Sequence, residues 1–414
     1  MRIEIKEKKH FLEVFEDCLN RSFDLPIGGI SIDSRNIKKN DIFIALNGEN
    51  FDGNDFINDA FNNGASYALT SVPSDKSNHI FINDIQLFIK NLCIHWLKGF
   101  NGKIVGITGS NGKTTTKDLV FHILQSKLKV EKTFGNYNTS ISVPLSIFSF
   151  SLDSDIYVLE LGANKVGDIE YLSSMVKPDY GIITSISEAH LKGFGSYKNI
   201  EKEKKSIFLY SKEKFNFKEN KPNAINDSFK KNKSKVYIKN LEISFHVASK
   251  IFKDLNQSDT KMDLSDDTLK GFKMPSGRGE IIALERRNIQ IIDDSYNANP
   301  ESVKAALDYL CTFKGRRKIF VFGDMKELGE NKEYFHTEIG KHAIGKTDIL
   351  LTVGTLSKNA HSNSNNFSLS LHFNDIFSLI KKLKKLLVDN DMILVKGSRS
   401  MNLDLIIDEL KNVK

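Results

Sequence analysis

Apolar residues along the chain fall into short runs and helical stripes that alternate, the pattern of an α/β protein. In the first hundred residues, runs at 27–33 and 41–46 read as strands, followed by a helix over 55–63 and a strand over 67–70. Ile85, Phe88, Ile89, Leu92 and Ile94 then lie at helical spacing within 84–98, which leads into Gly99 and Gly102. From Lys103 onward strands and helices alternate as a parallel sheet with right-handed crossovers requires. Segments 155–160 and 180–184 are almost continuously apolar, as strands covered on both faces are. A third alternating set begins near Gly277, with strands at 289–292, 318–322, 349–353 and 392–395. Amphipathic helices at 300–310, 334–343 and 376–388 lie between them, giving a Rossmann-like pattern without a G-x-G-x-x-G fingerprint. Residues 211–240, rich in Lys, Asn and Ser, predict a loosely packed surface region. The expected fold is α/β in three domains: a small N-terminal α/β domain (1–99), a central domain with a mainly parallel sheet (100–275) and a C-terminal Rossmann-like domain (276–414).

The central domain carries the chemistry. Ile104-Val105-Gly106-Ile107 runs into Gly109-Ser110-Asn111-Gly112-Lys113-Thr114-Thr115 and then into a helical pattern from Asp118. Strand, glycine turn and helix start, in that order, form a P-loop: turn N–H groups and the positive helix end surround an anion. Lys113 supplies a point charge for outer phosphates, and the Thr114 hydroxyl is placed for Mg²⁺. The spacing departs from G-x-x-x-x-G-K-[ST], because Ile107 stands where the first glycine belongs. Glu160 ends a buried strand, so its carboxylate emerges at the carboxyl edge of the sheet, where open α/β sheets bind ligands. His190 follows a further strand end, beside Glu188. A lone histidine is more often structural than a ligand, but this position points toward metal binding. These features predict an ATP-binding domain.

Composition narrows the remainder. The 414 residues, 40% hydrophobic and 10% aromatic, suit a soluble globular protein, and no apolar stretch approaches the ~18 residues of a membrane span. The opening segment has no signal-peptide core. Cys18, Cys93 and Cys311 are widely spaced and odd in number, as free thiols in a reducing cytoplasm are. The net charge of +7 gathers in lysine runs without interleaved aromatics, so solvated helix faces are favoured over a nucleic-acid surface. Lys204, judged by composition, is such a solvated lysine.

Further segments follow the P-loop in a fixed order: Gly135-Asn-Tyr-Asn, Val143-Pro144-Leu145, Glu160-Leu-Gly-Ala-Asn, Gly167-Asp-Ile, Ala189-His-Leu-Lys-Gly-Phe-Gly-Ser, Asp294-Ser-Tyr-Asn-Ala-Asn-Pro, Gly323-Asp-Met-Lys-Glu-Leu-Gly and Lys396-Gly-Ser-Arg. With Asp33-Ser34-Arg35 near the start, this order resembles the Mur ligases over essentially the whole chain. The resemblance implies an ATP- and Mg²⁺-dependent, cytoplasmic, monomeric amide-bond-forming enzyme of peptidoglycan precursor synthesis. Within the family it points to the branch that joins D-Ala-D-Ala to UDP-MurNAc-tripeptide. It further implies that Thr114, Glu160 and His190 hold Mg²⁺, and that Lys204 is a lysine carbamoylated in related ligases. Asn136 and Asn138 would face the acceptor substrate, Arg278, Asp294 and Asn297 would reach the nucleotide, and Asp33, Ser34 and Arg35 would lie near the UDP-sugar. Where the family commonly has an Asn meeting adenine, this chain is read as His246-Val247-Ala248-Ser249. A sister ligase adding one amino acid to a muropeptide or a folate is the nearest alternative, and a non-catalytic nucleotide-binding regulator is the other. Glu160-Leu-Gly-Ala-Asn, together with the lack of an Asp-Asn-Pro-Arg segment, favours the dipeptide-adding branch.

Overall fold

A computed structural model describes residues 1–48, 51–216, 233–255, 268–284 and 287–411. Its strands form three sheets, met in turn along the chain. The first holds β1 (Arg2–Glu4), β2 (Gly29–Ser31), β3 (Asp41–Ile44), β4 (Ala65–Thr70) and β5 (His79–Phe81) in sequence order, with β1 antiparallel and the rest parallel. β1, β5 and a helix over Lys8–Leu19, whose Phe11, Val14 and Phe15 bury one stripe, escaped the sequence pattern. The 84–98 segment forms a helix over Ile85–Trp96, capped by Asp84, whose side chain accepts from Leu87 N at 2.9 Å.

The second sheet comprises β6 (Lys103–Thr108), β7 (Val130–Lys132), β8 (Ile156–Glu160), β9 (Tyr180–Ile183) and β10 (Glu213–Asn216), all parallel, in the order β10-β9-β6-β8-β7. β6 is central because crossovers leave it on both sides. Its neighbours β8 and β9 therefore end beside the loop that follows it, at the switch point where open sheets take ligands. Period-2 alternation sorts the side chains: Ile104, Tyr157, Leu159 and Ile183 pack to one face, and Val105, Ile107, Val158 and Ile182 to the other.

The first of these faces shares its core with the N-terminal unit. Phe11 and Trp96 meet Phe148 of the helix Ser142–Phe148 at ring-centroid distances of 5.4 and 5.6 Å. The second face is covered by the helices Lys113–Leu124 and Lys235–Asp254.

That second helix corrects the expectation for 211–240. Residues 213–216 are strand β10, and 235–240 open a 20-residue helix; 217–232 lie outside the described residues. Leu241, Ser244, Val247, Ala248 and Ile251 recur at helical spacing and are buried. The lysines of this helix lie on its other side, so composition hid the stripe.

The third sheet holds β11 (Glu280–Leu284), β12 (Ile289–Asp294), β13 (Lys318–Gly323), β14 (Ile349–Val353), β15 (Leu369–Phe373) and β16 (Met392–Lys396). Its order is β11-β12-β16-β13-β14-β15, with only β11 antiparallel. β11 and β15 were not expected; both are sheet edges and only partly buried, β15 with Ser370 and His372 between its apolar residues and β11 with a short run, Ile281 to Leu284, beside Glu280. The architecture is the expected one: small α/β, P-loop parallel sheet, Rossmann-like sheet.

Phe148 ties the first unit to the second. Phe148→Ala should cost roughly 3–5 kcal/mol, read as a lower denaturant midpoint with a separate early transition; one transition at the wild-type midpoint would show that the shared core does not couple the two units.

Candidate active site

Gly112, at φ 84°, starts the helix Lys113–Leu124, and a Cβ added there would stand 2.4 Å from Asn240 Oδ1. Glycine is thus required twice over, by conformation and by space. Ser110 and Asn111 are tied to the segment after β9: Ser110 Oγ donates to Ser187 O at 3.0 Å, and Asn111 N donates to Ser185 Oγ at 2.8 Å. Lys113 Nζ donates to Gly109 O at 2.8 Å, folding back over its own loop. Protein surrounding Lys113 pushes its pKa down, against the pull of Glu160 and with the push of Arg278. Thr114 is buried, and its Oγ1 accepts from Arg278 Nη2 at 3.2 Å.

Glu160 is 1% exposed at the end of β8. One carboxylate oxygen accepts from Asn138 Nδ2 at 2.8 Å; the other, Oε2, is buried with no hydrogen-bond partner. A buried carboxylate oxygen left in this state needs a cation or a proton. Asn138 also accepts from Gly162 N at 2.8 Å through its carbonyl, so the Asn136–Asn138 loop is held to the end of β8. Asn136 itself is exposed on the cavity wall.

His190, with φ 55° and ψ 35°, precedes the short helix Leu191–Phe194 and sets Nδ1 against the carboxylate of Glu327, which follows β13. Lys204 contradicts its compositional reading. It is 2% exposed, with Nζ 5.4 Å from the Phe194 ring centroid. Burial, reinforced by Lys113, pushes its pKa down to about 7. Its neighbour Glu203 is buried as well, accepting from Gly167 N at 2.7 Å and Ile169 N at 2.6 Å, so it caps the helix Asp168–Val176.

The third sheet presents its own carboxyl edge to the same space. Asp294 and Lys396 are register partners at the ends of β12 and β16, and Lys396 Nζ donates to Asp294 Oδ2 at 2.6 Å. Burial raises the Asp294 pKa, while Lys396 opposes the rise. Arg278 stacks on Tyr296, 3.9 Å from the ring centroid. Asn299 Nδ2 donates to Asn111 Oδ1 at 2.7 Å, so an amide pair links the P-loop to the helix Pro300–Cys311.

Most of these groups line one cavity of about 2520 Å³; Gly109, Glu203 and Lys204 do not. A single small-molecule site occupies about 300–1,000 Å³, so there is room for several ligands side by side. Ser110, Asn111, Gly112, Lys113, Thr114, Thr115, Asn136, Asn138, Glu160, His190, Arg278, Asp294 and Asn297 all line it.

Asp33, Ser34 and Arg35 do not line it. There Arg35 Nε and Nη2 each donate to the Asp33 carboxylate at 2.9 Å, which holds that acid down at about 2. Buried residues near the site were also not singled out from the sequence. Lys117, buried, donates from Nζ to Gly135 O at 2.7 Å and pins the loop bearing Asn136. Asn240, buried beside Leu241 on its helix, faces the P-loop glycine, and Lys396 braces Asp294. Lys117 and Lys396 both sat inside recognised motifs, so proximity to the motif was the available signal.

Comparison with known proteins gives matches along the whole arrangement. Residues 26–91 match the Mur ligase family catalytic domain, 107–285 the Mur ligase middle domain and 277–399 the Mur ligase glutamate ligase domain. The UDP-N-acetylmuramoyl-tripeptide–D-alanyl-D-alanine ligase of Bacillus subtilis (strain 168) is 31% identical over 432 residues, covering 93% of each chain. The chain belongs to the Mur ligase family. The enzyme of the same name from Escherichia coli (strain K12) is 30% identical over 450 residues, covering 97% of this Mur ligase and 98% of that protein. Among solved structures, a MurF ligase of Thermotoga maritima in complex with ADP has TM-score 0.78 and 26% identity, covering 92% of this chain and 96% of its own. A MurF structure from Acinetobacter baumannii, at TM-score 0.81 and 23% identity, shares the fold.

In this Mur ligase, His246 is not a cavity residue; it packs edge-on to Phe215, 5.4 Å between ring centroids. Asn240, six residues earlier, is the amide of that helix facing the P-loop. Reading the helix from His246 therefore looked too far along it.

Lys204 gives a pH test. Its folded pKa of about 7 lies below the ordinary 10.5, so the folded chain holds that proton less well than the unfolded chain. The resulting destabilisation is full below pH 7 and is relieved as pH rises toward 10.5. In CO₂-free buffer, Lys204→Met should raise the unfolding temperature at pH 6 to 7 by about 4 °C or more, with a gain that shrinks toward pH 10. A gain independent of pH would show that the Lys204 ammonium is not the destabilising group.

Proposed function

We propose that the chain joins D-Ala-D-Ala to UDP-MurNAc-tripeptide at the expense of ATP, giving UDP-MurNAc-pentapeptide, ADP and phosphate for peptidoglycan precursor synthesis in the cytoplasm. The observation that carries this reading is the large cavity bounded by a P-loop on one side and the carboxyl edge of a Rossmann-like sheet on the other. Near-full-length relatives of that named activity, and an ADP-bound relative of the same fold, support it. Residues 1–99 hold the UDP-sugar, with Asp33, Ser34 and Arg35 nearby; 100–275 hold ATP; 276–414 close over it and receive the dipeptide. No helix among the described residues is long and apolar enough to cross a membrane, and the enzyme works as a soluble monomer.

The residues present fit a Mg²⁺ site. Among the described residues no cluster of three or more His, Cys, Asp or Glu exists. Mg²⁺ does not need one, because it keeps waters and takes one or two carboxylates plus substrate phosphates. Thr114 Oγ1, His190 and the unpaired Oε2 of Glu160 are the protein's contribution. When bound, the ion offsets negative charge on the phosphates as a carboxylate approaches them.

The protein's own part follows from its charges. Gly109 to Thr115 cradle the triphosphate, with Lys113 on its outer phosphates. Arg278, Asp294, Asn297 and Asn240 border the nucleotide, and Asn136 and Asn138 border the tripeptide carboxylate. A carboxylate oxygen attacks the γ-phosphorus and ADP leaves; the dipeptide amine then attacks the acyl carbon, phosphate leaves, and the amine gives up its proton. Lys204 adds positive charge beside Lys113 as its ammonium, and would offset it as the carbamate. Domain closure keeps water from the acyl phosphate.

Phosphate release with ATP, Mg²⁺ and UDP-MurNAc-tripeptide should require D-Ala-D-Ala and yield the pentapeptide mass. Release supported only by a single amino acid would move the chain to a sister ligase. Lys113→Ala should lower turnover at least 10³-fold, an estimate on the order of a lost phosphate clamp, while leaving the circular dichroism spectrum unchanged. ADP formation at the wild-type rate in that variant would remove Lys113 from the mechanism.

A further inference from the structure

Glu327 belongs to the Gly323–Gly329 segment that follows β13, and nothing in the reaction above uses it. Its carboxylate meets His190 Nδ1, and its carbonyl accepts from Lys192 N at 3.2 Å. Both partners lie on the central sheet's side of the cavity, so Glu327 reaches across from the third sheet. Glu327 has φ 62° and His190 has φ 55°, two non-glycine residues in the left-handed region facing each other across a domain boundary. Such backbone is rarely adopted by residues with a Cβ and concentrates at functional sites. His190 Nδ1 is buried with the Glu327 carboxylate set against it, which leaves Nε2 as the nitrogen for a further ligand.

Resting on the reading of His190 as a Mg²⁺ ligand, we propose that Glu327 is the positioning residue for it. A carboxylate on Nδ1–H fixes the neutral imidazole in the tautomer whose lone pair is on Nε2, and it fixes the ring's direction. Because Glu327 comes from the third domain, the histidine is set for the metal only when that domain is closed against the P-loop domain. Metal binding and domain closure are then one event: Mg²⁺ with nucleotide favours the closed arrangement, and closure raises Mg²⁺ affinity by the same factor.

The test uses the full chain and ADP, with no turnover. Titration calorimetry of ADP with and without Mg²⁺ gives the metal's contribution to nucleotide affinity. Glu327→Gln keeps size and removes the charge; it should lower that contribution about 10-fold or more and leave metal-free ADP affinity within about twofold. In parallel, ¹⁵N-histidine spectra of the wild-type chain with ADP, with His190 assigned by its absence in His190→Gln, should show protonated Nδ1 and unprotonated Nε2. That spectrum needs no Glu327 variant to fold. Protonated Nε2 in the wild type would overturn the proposal, as would undiminished Mg²⁺ enhancement in Glu327→Gln when His190→Gln has lost it. If His190→Gln itself keeps the full enhancement, the placement of the metal on His190 fails first, and the proposal falls with it.

Discussion

Three lysine amines are enclosed by protein, Lys113 and Lys117 near the carboxylate of Glu160 and Lys204 near Lys113, and burial pushes the pKa of each downward. Carboxylates counter part of this charge, Glu160 for Lys113, Asp118 for Lys117, and Glu203 and Asp168 for Lys204, in a low-dielectric space where each ammonium is costly to keep charged. That arrangement is unfavourable alone and suited to a polyanion. Its rigidity comes from backbone: Gly109 and Gly135 carbonyls accept from Lys113 and Lys117 at 2.8 and 2.7 Å. A triphosphate entering such a site meets dipoles and charges already oriented, which is how electrostatic stabilisation is achieved without reorganisation.

Holding charge this way requires packing on every side. The N-terminal unit shares its apolar core with one face of the central sheet, and the helix Lys235–Asp254 covers the other. The third sheet meets the P-loop through the Asn111–Asn299 amide pair, Arg278 on Thr114, and Glu327 on His190. These contacts are few and polar, whereas the first boundary is broad and apolar. The first junction is therefore part of the core, and the second is the one that the proposed closure around substrates would use.

The P-loop was legible because its parts are contiguous: strand, turn and helix start occupy Lys103 to Leu124 without a break. Glu160 and His190 were legible because each follows an apolar run, and the carboxyl ends of parallel strands gather at one edge. Lys204 was not, since a lysine among Glu201, Lys202, Glu203 and Lys205 has the composition of a solvated helix face. Its burial arises from docking of the helix Tyr197–Lys205 through Ile200 and from the ring of Phe194, both long-range matters. Asn240 was lost for the same reason, sitting at the end of a polar stretch whose helix only declares itself further on.

The order of motifs, the three alternating α/β units and the membership of the phosphate-binding loop were properties of the sequence alone, because each rests on periodicity or spacing within a few dozen residues. The tertiary structure decided which lysines are buried and which oxygen of Glu160 lacks a partner. It also decided that Asp33 pairs with Arg35 outside the cavity, and that Glu327 crosses to His190 from another sheet. These depend on how sheets and helices close on one another: a side chain's charge state and partners follow from the dielectric and the neighbours that packing supplies, and local sequence carries neither.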